Sequence, residues 1–138
     1  MKVYLAARYQ EHPAMRVLRD ELVAAGIVVT SRWIEGGHDI QADADHDEQR
    51  QRFCMEDLED VDACDVLVVQ SPKAHHRTGR GGRHVEVGYA LAKGKPVILV
   101  GERENVFHWH PLVRLVDDNH EVATAIKILG DLMGLTSA

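Results

Sequence analysis

A glycine-rich run, Gly79-Arg80-Gly81-Gly82, leads into an apolar segment that carries one acid, Glu86, in the order Arg83-His84-Val85-Glu86-Val87-Gly88-Tyr89-Ala90. Glycines take up backbone angles that bulkier residues avoid, and they let a ligand approach the main chain. A helix that begins just after them offers unpaired N–H groups and a partial positive charge. A carboxylate in or near that first turn is stabilised in its ionised form. Such a group suits a nucleophile. It equally suits simple pairing with the helix dipole, and spacing alone leaves both readings open. The loop can also serve phosphate, with Gly79, Arg80, Gly82 and Arg83 as binding residues. Solvated arginines on a surface loop are the plainer alternative. His84 stands where a dinucleotide fingerprint wants its third glycine, and the Lys-Ser/Thr pair of a Walker loop is missing.

Other clusters carry weaker signals. Glu56, Asp57, Glu59, Asp60 and Asp62 crowd the end of one helical stretch, where acids oppose the dipole. Most form a solvated face, and one or two can point toward a site. Among nine histidines, His75-His76 and His108-x-His110 are the densest, yet neither has the i, i+4 spacing of a zinc pair. No metal and no cofactor are expected. Phe107 and Trp109 form a packing or stacking surface. Cys54 and Cys64 read as reduced thiols of a cytoplasmic protein.

The elements that must position these residues alternate in type. Val3–Ala7 is a short apolar run. Pro13–Ala25 has helical spacing, with Ala14, Leu18 and Leu22 on one face and Val17 and Ala25 beside it. Ile27–Thr30 reads as a strand. A polar stretch over 35–47 is followed by a helix over Asp47–Ala63, anchored by Phe53, Leu58 and Val61. Asp65–Gln70 suits a central parallel strand covered on both faces. A loop over Ser71–Gly82 is followed by a helix over Arg83–Lys93, with Val85, Ala90 and Leu91 as core candidates. Pro96–Val100 and Leu112–Val116 are further strands. A last helix starts at Asp117 or Asp118 and lays down Val122, Ala125, Ile126 and Leu129.

Strands alternating with helices imply a doubly wound, five-stranded parallel sheet, an α/β flavodoxin-like or Rossmann-like three-layer sandwich. The 138 residues fit a single domain over 1–138. Ligands of such sheets bind beyond the carboxyl ends of the strands. Ala7-Arg8-Tyr9, the loop from Ser71 and Gly101-Glu102-Arg103 should therefore meet there. Net charge of −6 argues against binding a nucleic-acid polymer, and no apolar run approaches the roughly 18 residues of a membrane span.

The segment Gly81–Val100 resembles the nucleoside 2-deoxyribosyltransferase family. Glu86-Val87-Gly88-Tyr89-Ala90-Leu91, Gly94-Lys95 and the strand Val97–Val100 match its motif of a Glu, a hydrophobic residue and Gly-Tyr-Ala-Leu before a turn and strand. Val3-Tyr4-Leu5-Ala6 is similar to the family's first strand, with Tyr4 at the position of an active-site Tyr. Asp57 resembles an Asp that contacts the nucleoside. Asn105, with Trp109 four residues on, resembles an Asn that reaches a neighbouring subunit's site. Where the transferases often carry an Asp before the Glu, this chain has Arg80 and Arg83.

The resemblance implies an enzyme for a nucleoside or nucleotide, working as a homo-oligomer. Glu86 would attack the anomeric carbon, and a second base or water would resolve the glycosyl ester. Tyr4 would orient Glu86 or the sugar, Asp57 would hold sugar or base, and Tyr9 or Trp33 would stack on the base. Ala7, Arg8, Tyr9, Ser71 and Asn105 complete the expected binding set. Related N-glycosidases of deoxynucleoside monophosphates are the alternative, favoured by the arginines. A non-catalytic nucleotide-binding module is the third.

Overall fold

The computed structural model describes residues 1–37, 46–73 and 81–135. Five short runs rich in β-branched residues pair in parallel: β1 (Lys2–Ala6), β2 (Val28–Val29), β3 (Val66–Ser71), β4 (Val97–Gly101) and β5 (Val113–Val116). Their order is β2-β1-β3-β4-β5. In β1, β3 and β4, the eleven residues Val3–Ala6, Val66–Val69 and Val97–Leu99 are at most 1% exposed. Burial on both faces explains why these strands read as continuous apolar runs rather than alternating ones.

Register assigns the faces. Tyr4 pairs with Leu67, which pairs with Val97, so these three side chains lie on one face. Leu5, Val68 and Ile98 lie on the other. Helices α2 (His46–Ala63) and α3 (Gly82–Ala92) pack on each other and on β1. Tyr4 bonds to a residue of α3, which places that pair on Tyr4's face. Gln70, on the opposite face, donates to Asn119 just ahead of α4 (Val122–Met133). Right-handed crossovers put α1 (His12–Ala24) on that opposite face as well. The result is a three-layer α/β sandwich with its chain reversal between β1 and β3.

The helices bury stripes slightly rotated from those the sequence suggests. In α1 the buried residues are Met15, Leu18 and Leu22, while Ala14 is exposed and Val17 is 61% exposed. Met15 and Ala14 both fit the period, and the larger side chain takes the core. In α2, Val61 is fully buried whereas Phe53 and Leu58 are only half-buried. In α3 the buried face is Arg83, Val87 and Ala90, and Val85 is 66% exposed. Val122, Ile126 and Leu129 form the inner stripe of α4. Asp118 does act as a cap, but of the short 3-10 turn Asn119–Glu121 ahead of α4, accepting the His120 N–H at 2.8 Å.

One glycine fixes the carboxyl edge of the sheet. Gly101 has φ +115°, and a Cβ placed on it would lie 2.1 Å from the carbonyl oxygen of Ser71. The close approach lets Glu102 N–H donate to that same oxygen at 3.0 Å. The Ser71 hydroxyl donates in return to the Glu102 carbonyl. The ends of β3 and β4 are thus stitched together. Among the described residues, no helix is long and apolar enough to cross a membrane.

Candidate active site

Tyr4 stands in the middle of β1 and is fully buried. Its phenol O–H donates to Oε2 of Glu86, which lies in the second turn of α3. The helix reaches that position because Gly81, at φ +86°, turns the chain into it from the left-handed region. A side chain with a Cβ is strained at such an angle.

The electrostatics of Glu86 differ from the expectation of a helix-stabilised carboxylate. Burial is the largest influence and holds its proton, so its pKa is pushed up to about 8. The hydrogen bond from Tyr4 acts the other way, favouring the charged form, and the negative charge of Asp57 in α2 adds to the upward push. Glu86 is five residues into α3, past the turn where dipole and free N–H groups act strongly. Desolvation therefore wins. The Tyr4 phenol is also pushed far up, first by burial and then by the charges of Glu86 and Asp57. Tyr4 is thus a fixed donor, and Tyr4, Glu86 and Asp57 form one electrostatic unit across β1, α2 and α3. Chemically, the unit is a carboxyl group poised between its two forms near neutral pH, beside a hydroxyl that orients it.

A family model for nucleoside 2-deoxyribosyltransferase matches residues 3–131, a span that contains all three residues. The chain belongs to the nucleoside 2-deoxyribosyltransferase family. It is therefore an enzyme of nucleoside N-glycosidic bonds, by deoxyribosyl transfer or N-glycosidic cleavage. Solved structures share the fold. The 2-deoxyribosyltransferase of Bacillus psychrosaccharolyticus is 21% identical with a TM-score of 0.67, covering 89% of this chain and 90% of that one. The CMP N-glycosidase of Clostridium botulinum is 19% identical with a TM-score of 0.60, covering 93% and 99%. The 2-deoxyribosyltransferase of Leishmania mexicana is 17% identical with a TM-score of 0.60, covering 93% and 97%. No match was found among curated proteins.

Other expected site residues of this family member are dispersed. Arg8, Ser71, Gly101 and Glu102 do converge. They line a cavity of about 490 Å³ at the carboxyl edge together with Gln70, Lys73, Asp118 and Asn119. Tyr4, Asp57 and Glu86 are not among its lining residues. Arg8 is paired with Glu11. Ala7 is buried at the end of β1. Tyr9 is half-buried, its ring 4.9 Å from that of His12 and 6.4 Å from that of Trp33. Gly82 is exposed at the start of α3.

Two expectations, for Trp33 and Arg83, need revising. Trp33 is 4% exposed and its indole N–H is bonded to the Leu5 carbonyl at 2.8 Å. It is a core residue with no face open to a base. Arg83 is 6% exposed and forms a two-pronged pair with Glu104, at 2.9 and 3.3 Å. A guanidinium so engaged is a poor phosphate ligand. Asn105 caps the 3-10 turn Val106–Trp109 by accepting the Phe107 N–H at 3.0 Å, and its amide nitrogen lies 3.4 Å from His84 Nδ1. Glu104 itself gave no signal in the sequence, because its partner is 21 residues away. Gly79 and Arg80 lie outside the described residues, as do His75 and His76. Phe107 and Trp109 are exposed, at 69% and 64%, while His108 is buried and accepts the Glu104 N–H at 3.0 Å.

Proposed function

We propose that the enzyme transfers a 2-deoxyribosyl group between nucleobases through a covalent ester on Glu86. The observation that carries this reading is the Tyr4–Glu86 hydrogen bond, within the span that matches the family. In the ionised form, a Glu86 oxygen forms a bond to the anomeric carbon as the C–N bond breaks, and the base departs with the electron pair. An incoming base then attacks the same carbon from the other side and releases the carboxylate, so configuration is retained overall. The transition state resembles an oxocarbenium ion, which a neighbouring carboxylate stabilises. Tyr4 holds the carboxyl group in one orientation, and Asp57, whose charge acts on both Tyr4 and Glu86, is assigned the sugar hydroxyl or the base.

A nucleoside is favoured over a nucleotide because Arg83 is already committed to Glu104. The experiment is incubation with deoxyinosine plus adenine, and separately with deoxynucleoside monophosphates, with products followed by chromatography. Formation of deoxyadenosine is the expected result. Release of free sugar or deoxyribose phosphate without base exchange would make the enzyme a hydrolase. Turnover of Glu86→Ala at the wild-type rate would remove Glu86 from its role.

A further inference from the structure

The start of α3 is tied to the turn Val106–Trp109 through two side chains, His84 and Asn105. The protons along this tie follow by elimination. The Phe107 N–H is a donor and lies 3.0 Å from one end of the Asn105 amide, so that end is the oxygen. The NH2 end therefore faces Nδ1 of His84, at 3.4 Å. An amide NH2 can only donate, so Nδ1 accepts and carries no proton. The single proton of the neutral ring is then on Nε2, which lies 2.6 Å from Glu104 Oε1 and 2.6 Å from Arg83 Nη1. A guanidinium has no acceptor, so the Nε2–H donates to the carboxylate.

The His84 side chain is 36% exposed, so protons reach it from solvent. Among the described residues, the charged groups that face it are Arg83 of α3 and Glu104 of the segment after β4. The ring of His108 lies 5.9 Å away, its Nδ1 accepting the Glu104 N–H, and Arg103 sits over the Trp109 ring of the same turn. Burial, and then the Arg83 charge, hold the His84 ring below its usual pKa against the pull of Glu104, so the ring is neutral at pH 7. Protonation places a second N–H on Nδ1, directly against the amide NH2. The amide has one oxygen, and its two ends serve two different sites. When the oxygen turns toward the ring, the Phe107 N–H loses its acceptor. We infer that His84 is a pH-sensitive latch: its neutral ring holds the Asn105 cap on the turn Val106–Trp109, and its protonation releases that cap. The turn carries Val106, Phe107 and Trp109 at 75%, 69% and 64% exposed, so the latch governs how an apolar surface is displayed.

The latch does not depend on the chemistry assigned to Glu86, and its test needs no turnover. Ring ¹⁵N–¹H correlation spectra, with His84 assigned through its backbone, should show the proton on Nε2 at pH 7.5. A proton on Nδ1 would overturn the inference. The His84 midpoint should lie below the usual 6.5. Across it, hydrogen-exchange protection of the Phe107 N–H, corrected for intrinsic exchange, should drop about fivefold, as for loss of one ordinary hydrogen bond. Unchanged protection would overturn the inference. In Asn105→Asp both ends of the side chain accept, so the His84 midpoint should rise by about one unit or more and Phe107 should stay protected throughout. A midpoint that does not rise would overturn it too. If that variant does not fold, His84→Gln decides. With no ring to titrate, Phe107 protection should be flat from pH 5 to 8, and a drop like that of wild type would sink the latch.

Discussion

Asp60 in α2 and Glu86 in α3 are both acids drawn out of solvent, and they are supplied very differently. Asp60, 5% exposed, accepts the main-chain N–H of Arg32 at 3.0 Å and the Arg32 Nε–H at 2.9 Å. Its charge is met by a cation and by the backbone. Among the described residues, Glu86 receives one phenol hydrogen bond and faces another acid. The first arrangement ties the segment after β2 to α2 and leaves the acid nothing else to do. The second leaves a carboxyl group short of partners. An under-supplied carboxyl group in a dry site holds its proton longer, and it has unspent capacity for a substrate. Arg83–Glu104 repeats the first arrangement within a few residues of the second.

The largest effect that separates the two acids is on turnover. Glu86→Gln keeps the shape and can still accept from Tyr4, but it cannot form the ester. A loss of at least about a thousandfold in kcat/KM is expected, as for removal of a nucleophile. In wild type, kcat/KM should rise with pH toward a midpoint near 8, where Glu86 loses its proton. A flat profile between pH 6 and 9 would break the contrast with Asp60.

Tyr4→Phe comes next. A hydrogen bond to a charged group contributes about 1.5–3 kcal/mol, so a ten- to hundredfold fall in kcat/KM is expected. Because the Tyr4 hydrogen bond lowers the Glu86 pKa, its removal should also shift the kcat/KM midpoint upward. A downward shift would mean that Tyr4 does not serve the ionised form.

Stability gives a smaller and complementary signal. The folded-state pKa of Glu86, about 8, is raised above its ordinary value of 4.5. Between those pH values the folded chain binds the proton better than the unfolded chain does. The associated stability is complete below pH 4.5 and is lost as pH climbs through 8. Glu86→Gln has no such proton to lose. Its Tm should therefore gain on that of wild type as pH rises from 5 to 8 and level off above that range. Parallel Tm curves would show that Glu86 is not held protonated by burial.

What was legible in the sequence follows the range over which each cause acts. The strands were legible because burial on both faces demands unbroken runs such as Val66–Val69. The Glu86 motif was legible because loop, helix start and acid are contiguous. Arg83 was misread as a ligand because its fate depends on Glu104, beyond the next strand. Trp33 was misread because an indole suits stacking and core packing equally, and only the Leu5 carbonyl decides between them. The charge state of Glu86 was misjudged for a related reason. The helix dipole is a local effect that can be read from spacing, whereas desolvation is the sum of everything packed above the residue.

The smallest expected effect belongs to Asp60→Asn. Asparagine matches the size of aspartate, and its Oδ1 can still accept the Arg32 main-chain N–H. What is lost is the charge opposite a guanidinium whose side chain is 52% exposed, so water can take over part of the solvation. Exposed or half-exposed pairs contribute little, and a fall in Tm of roughly 3 °C is expected for a chain of this size. The turnover of Asp60→Asn, measured well below its Tm, should match wild type, as should its pH midpoint. Asp60 contributes only a small upward push on Tyr4, ranked below those of Glu86 and Asp57. If the midpoint instead moved by a unit, the two acids would belong to one electrostatic system, and the pairing of Asp60 with Arg32 would have to count as part of the active site.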